Sequence, residues 1–135
     1  MTQVPSLPLG SALVFLGGGT GAWARYMTGR ICTALLGPAA ATFPYATLAA
    51  NVLGALAMGI LTGWLARHGT AGEPWRLLLG VGILGGYTTF SSFALEFALF
   101  VERGQLGLAA LYVGLTMLAG FAALFMGLYL MRSFG

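Results

Sequence analysis

An all-α integral membrane protein with four transmembrane helices is what this sequence of 135 residues predicts, and three observations carry the prediction. The first is composition: 59% of the residues are hydrophobic and 7% are charged. An ordinary soluble domain carries roughly a quarter charged residues to cover its surface. The second is where the charges fall. Arg25, Arg30, Arg67, Glu73, Arg76, Glu96, Glu102, Arg103 and Arg132 leave long uncharged stretches at 1–24, 31–66, 77–95 and 104–131. A bilayer core about 30 Å thick takes roughly 20 apolar residues of helix. The third is punctuation. The second stretch is too long for one span, and Gly37-Pro38 and Pro44 place a turn in its first third. The spans then lie near 10–35, 46–67, 75–101 and 106–132, with residues 1–135 forming a single transmembrane domain.

The first span does not read as a signal peptide, because no Lys or Arg precedes it and Arg25 and Arg30 sit in its second half. The second span ends at Arg67-His68-Gly69, a cation, an imidazole and a glycine, which suit a helix C-terminus. His68 therefore reads as a capping or interfacial residue. Glu73-Pro74 opens the third span with an acid near the positive helix end and a proline where no N–H is needed. Glu102-Arg103-Gly104 is the corner into the fourth span, from whose end Arg132 can snorkel.

The pairs Gly17/Gly21, Gly59/Gly63 and Gly82/Gly86, among 22 glycines, have the spacing that lets helices approach closely in lipid. Cys32 is alone, so neither a disulfide framework nor a thiol metal site is expected. The net charge of +3 is dispersed over six arginines and no lysine, which excludes a clustered nucleic-acid footprint. No nucleophile–base pair or metal cluster can be assembled, so an enzyme is not expected. With four spans, Arg67, Arg76 and Arg132 face one side and Arg103 and Arg30 the other. So small a bias gives the positive-inside rule little to act on, which suggests insertion in both orientations and antiparallel pairing. Four helices are few to enclose a pore, so a transport function favours an oligomer.

Polar residues inside spans carry the functional information, because each is costly there. In Gly85-Gly86-Tyr87-Thr88-Thr89-Phe90-Ser91-Ser92-Phe93, two glycines followed by four hydroxyl residues make a poor helix. A break is expected, with one half-helix ending near Gly85 and another beginning around Ser91. Broken backbone at membrane depth offers carbonyls to a cation and N–H groups to an anion; the bland alternative is a glycine-kinked packing helix. Thr47, Asn51 and Gly54 share a face of the second span, where Asn51 also suits interhelical glue. Phe90, Phe93 and Phe97 share a face of the third, near Glu96, with Tyr112 and Thr116 in the fourth. A carboxyl inside a span wants a partner or water, and Arg25 raises the same question.

The run Gly85–Phe93, with G-G-T-G-A-W-A-R-Y at Gly18–Tyr26 and T-L-A-A-N-V-L-G at Thr47–Gly54, resembles the Fluc (CrcB-type) fluoride channels over nearly the whole chain. The resemblance implies a dual-topology antiparallel homodimer in the cell (inner or plasma) membrane that lets cytoplasmic fluoride leave passively and so protects against fluoride toxicity. It implies phenylalanines lining the pathway at Phe90 and Phe93, a pore asparagine at Asn51 with Thr47 beside it, and hydroxyls at Ser91 and Ser92. It places a polar track at Tyr112 and Thr116 with Glu96 nearby, and the first-span arginine at Arg25. Backbone carbonyls of Gly85 and Thr88 would hold a structural Na⁺ at the dimer centre. Two departures stand out: Ser92 occupies a position where threonine is usual, and Gly120 offers no hydroxyl to continue the track. Amide and hydroxyl donors and positive ring edges suit a small anion that must bind and still leave. Selectivity for fluoride over chloride rests on the resemblance alone.

The alternative class is a small proton-coupled multidrug or cation exporter, also four-span. It requires a carboxylate at its binding site, typically in the first span, where this chain has arginines and no acid. A purely structural membrane subunit accounts for the glycines but leaves Asn51 and the hydroxyl-rich run without a reason.

Overall fold

The computed structural model describes residues 5–133, all of it helix and short connections. Helix α1 is Leu7–Leu36, α2 is Tyr45–His68, and the last helix, α5, is Leu106–Ser133. Between α2 and α5 lie two further helices. The first, α3, runs as Glu73–Trp75, a π-helical stretch Arg76–Leu84, and Gly85–Tyr87; the second, α4, is Phe90–Glu102. Among the described residues, three helical stretches are long and apolar enough to cross a membrane: Leu7–Ala41, Tyr45–Glu102 and Leu106–Ser133.

The ends follow local chemistry. Pro8 occupies the first turn of α1, where a missing N–H costs nothing. A 3₁₀ turn at Gly37–Ala41 and Pro44 separates α1 from α2. Gly69 and Gly104 close α2 and α4 with φ of 50° and 71°, a conformation side chains with a Cβ resist. His68 Nδ1 lies 2.8 Å from the carbonyl of Trp64 and its ring stacks on that indole at 4.0 Å, which makes it a cap. Among the described residues, the one ion pair joins Glu73 to Arg76, through two hydrogen bonds of 2.8 Å at the start of α3.

Packing joins the helices in two pairs. Along α1, a side chain at Gly17 or Gly21 would strike the backbone of Gly82, Ile83 or Tyr87 in α3, and one at Gly86 would strike Gly18 and Ala22. Along α2, a side chain at Gly59 would strike Leu124 and one at Gly63 the Met131 side chain in α5, while Gly127 meets Leu56 and Ile60. All three small-residue pairs of the sequence thus lie at helix crossings. Buried side chains are few; an aromatic cluster of Phe43, Phe93, Phe100 and Tyr112 forms the core at one end. Leu7, Phe15, Leu16, Leu118, Phe125 and Tyr129 stand exposed, a surface that water would not tolerate and lipid or protein must cover.

The interruption between α3 and α4 differs from the expectation of a half-helix ending near Gly85 and another starting around Ser91. Gly85 and Gly86 remain helical, and only Thr88 and Thr89 are extended, with φ, ψ of −77°, 157° and −150°, 122°. The physical reason is that Gly86 is needed as a helical contact against α1. Departure from the helix is set by Thr89, whose hydroxyl caps α4 by accepting from the Ser92 amide at 3.2 Å.

Candidate functional site

Thr88 and Thr89 are held from α2. Asn51 makes two hydrogen bonds to the backbone of Thr89: its Nδ2 donates to the carbonyl at 3.0 Å and its Oδ1 accepts from the amide at 2.8 Å. Gly54, nearly one turn on, leaves room for the Thr88 methyl. Thr88 turns its hydroxyl back to the Leu84 carbonyl at 2.9 Å. Asn51 and Gly54 of α2 are therefore the seat of the extended residues, and one Asn51 N–H is engaged in holding them.

Among the carbonyls that lose their helical donors as a result are those of Gly85 and Thr88. In a continuous helix the Thr89 amide would donate to Gly85 and the Ser92 amide to Thr88. Here the first donates to Asn51 and the second to the Thr89 hydroxyl. Gly85 is exposed on the surface of the single chain. Freed carbonyls at an unwound helix are the donor chemistry that suits a small hard cation such as Na⁺, so Gly85 and Thr88 fit that group.

Beside them opens a cavity of about 310 Å³, lined by Asn51, Thr88, Thr89, Phe90, Phe93, Thr116, Met117, Gly120 and Phe121 among others. Phe93 is 7% exposed and Phe90 76% exposed, their ring centroids 6.0 Å apart. Thr116 Oγ1 is buried and, among the described residues, has no hydrogen-bond partner. That is unusual here: Thr20, Thr28, Thr33 and Thr88 all donate to the carbonyl one turn back. An unpartnered buried O–H is a costly donor waiting for an acceptor.

Further along α4, Glu96 accepts from Thr47 at 2.7 Å and from the Tyr112 hydroxyl at 2.5 Å. Tyr112 is fully buried, ringed by Phe93 at 5.0 Å, Phe43 at 5.4 Å and Phe100 at 6.1 Å. Arg25 lines a separate cavity of about 480 Å³ with Arg30, Thr47, Thr89, Ser92 and Glu96, and makes no ion pair there among the described residues. A third cavity of about 230 Å³ reaches Glu96 from the side of Phe43, Phe100 and Arg103.

The CrcB family model ("CrcB-like protein, Camphor Resistance") matches residues 12–128, most of the chain. The chain belongs to the CrcB family. It is 57% identical to the fluoride-specific ion channel of Novosphingobium aromaticivorans, over 90% of this chain and 95% of that protein. It is 52% identical to the fluoride-specific ion channel of Erythrobacter litoralis over 99% of both, and 48% identical to one from Nitrobacter hamburgensis over 89% of this chain and 94% of that protein. A CrcB protein is a multi-pass membrane protein, in keeping with the apolar helices above.

In this CrcB chain the singled-out residues fall into two neighbouring groups. Asn51, Phe90, Phe93, Thr88 and Thr116 share the 310 Å³ cavity. Thr47, Glu96, Arg25 and Ser92 share the 480 Å³ one, and Thr89 lines both. Ser91 is exposed, its hydroxyl 3.4 Å from that of Thr89. Among the described residues, Phe97 joins none of the aromatic pairs. Sequence reasoning missed Phe43 and Phe100, which case Tyr112, and Phe121, which lines the cavity. Phe43 precedes Pro44 and was legible only as turn; Phe100 continues the spacing of Phe93 by seven residues, the one signal that would have found it.

Proposed function

We propose that this chain is a passive fluoride channel, not an enzyme, working as an antiparallel homodimer of four-span subunits in the cell membrane. The observation that carries the reading is the unpartnered Thr116 hydroxyl at a cavity also lined by Asn51, Phe90 and Phe93. A buried O–H beside aromatic rings is a site for an acceptor small enough to sit among donors and ring edges. The names of the relatives, fluoride-specific ion channels, identify that acceptor as fluoride.

Four crossings are supported by the fold-back of Tyr45–Glu102. As one helix its 58 residues would run about 87 Å, nearly three bilayer cores. The turn at Gly69–Gly72 instead returns Thr89 to the side of Asn51. In the third crossing the extended Thr88 and Thr89 then lie near mid-membrane. An oligomer is supported by the single chain leaving Phe90 and Gly85 exposed on its surface. Antiparallel pairing is supported by the near balance of arginines on the two sides. Fluoride would pass Phe90, Phe93, Asn51, Thr116 and the hydroxyls of Ser91 and Ser92. Thr47, Glu96 and Tyr112 form the polar continuation, with Arg25 drawing anions into the neighbouring cavity. Gly85 and Thr88 of both copies would hold a structural Na⁺ by backbone carbonyls, supplying a fixed positive potential near the pathway. The family membership gives no support to the proton-coupled exporter reading.

Purified protein in liposomes, with a potassium ionophore to balance charge, tests the proposal. Electrogenic fluoride efflux without chloride efflux and without proton exchange is expected. Well-folded dimers that release no fluoride would refute it.

A further inference from the structure

We propose that Tyr87 and Thr28 form a second clamp on the extended residues, made by α1, which positions the freed carbonyls of Gly85 and Thr88. The inference rests on the reading of those carbonyls as a Na⁺ site. Tyr87 is the last helical residue of α3, so its placement sets where the Thr88 peptide begins. Its hydroxyl lies 3.0 Å from Thr28 Oγ1 in α1. The direction of that bond follows from counting protons. The Thr28 hydroxyl donates to the Ala24 carbonyl at 3.0 Å, and a carbonyl can only accept. The proton of Thr28 is used there, so Tyr87 is the donor and Thr28 the acceptor.

The partner sits where α1 and α3 are already closest. Gly21 has the backbone of Ile83 and Tyr87 against it, and Gly86 meets Gly18 and Ala22. Thr28 is seven residues beyond Gly21, on the same face of α1. The backbone contact fixes the distance between the helices, and the phenol fixes how far α3 is turned and slid along α1. On the other flank Asn51 holds Thr89 from α2. The carbonyls of Gly85 and Thr88 thus lie on a segment tied at Tyr87 to one helix and at Thr89 to another. A site built from backbone oxygens depends on such support, because its own donors have no side chain to adjust.

The experiment uses full-length protein with Tyr87→Phe, Thr28→Val, the pair together, and Thr28→Ser, which keeps the acceptor. Each is exchanged into Na⁺-free buffer and titrated with Na⁺, reading bound Na⁺ by atomic emission and, separately, fluoride efflux from liposomes. Tyr87→Phe and Thr28→Val should each raise the Na⁺ concentration for half-saturation about three- to tenfold, the scale of one net hydrogen bond. The double variant should be no worse than either single one, and Thr28→Ser should match the parent. Unshifted Na⁺ binding in Tyr87→Phe, whatever the flux, overturns the clamp, as does an additive double variant. A parent protein that binds no Na⁺ removes the cation site itself and the clamp with it, a result told apart by the parent's own titration.

Discussion

Phe90 and Phe93 line one cavity from different settings, and the difference predicts how each responds to substitution. Phe93 is buried against Tyr112, whereas Phe90 stands on the surface of the single chain. Phe93→Ile and Phe90→Ile should each slow fluoride efflux by an order of magnitude or more, because the positive ring edge is lost. Phe93→Ile should also destabilise the fold by about 1–3 kcal/mol of lost packing, read as a lower melting temperature; Phe90→Ile should not. Normal flux in both would remove the ring-edge role. Asn51→Leu has a separate consequence, since it strands both polar groups of the Thr89 backbone. Stability and flux should fall together, at a cost of about 1–3 kcal/mol for an unsatisfied buried group. Thr116→Val should do the reverse, reducing flux while leaving stability equal or higher, because the hydroxyl it removes has no partner. A flux equal to the parent would return Thr116 to a packing role.

At the scale of the element, backbone contact through glycine decides which helices pair. A Cβ at Gly59 would meet the Leu124 carbonyl, which cannot swing aside as a side chain can, whereas one at Gly114 meets nothing within 4 Å. Gly59→Ala should therefore broaden or abolish the folded peak in gel filtration, and Gly114→Ala should elute as the parent does. Equal behaviour of the two would undo the α2–α5 packing described above. The π-helical stretch Arg76–Leu84 is the other feature of this scale. The wider π turn shifts the register of the residues that follow, so the α1 contacts of Gly82 and Gly86 depend on it. Nothing in the residue types of Arg76–Leu84 distinguishes it from an ordinary apolar helix.

The whole molecule in its active form is proposed to be two chains, and its distinctive prediction is topological. A tag on either end of the chain should be reached from both sides of the membrane, with the two populations near equal. Adding two or three lysines to the Gly69–Gly72 turn should skew them strongly, since charge bias sets orientation. A single orientation in the parent would exclude antiparallel pairing. The same scale explains why the cavity beside Phe90 is open on one side: a second copy is the proposed wall.

Composition and charge spacing alone determined that this protein belongs in a membrane and where its helices lie, because a bilayer imposes length and polarity on each span independently of its neighbours. Helix ends at His68-Gly69 and Glu102-Gly104 were legible for the same reason: caps are local. The glycine pairs announced close packing but not which helices would meet, since both partners of a crossing are needed to know that. Asn51 could be read as donor or as glue, and the fold made it a clamp on Thr89. Only the tertiary structure placed Thr47 and Tyr112 on the two oxygens of Glu96, left Thr116 without a partner among the described residues, kept Arg25 from pairing with Glu96, and narrowed the interruption expected between Gly85 and Ser91 to Thr88–Thr89. Each of these depends on residues far apart in the chain coming within hydrogen-bond reach, or failing to, and sequence spacing along one helix carries no information about the next.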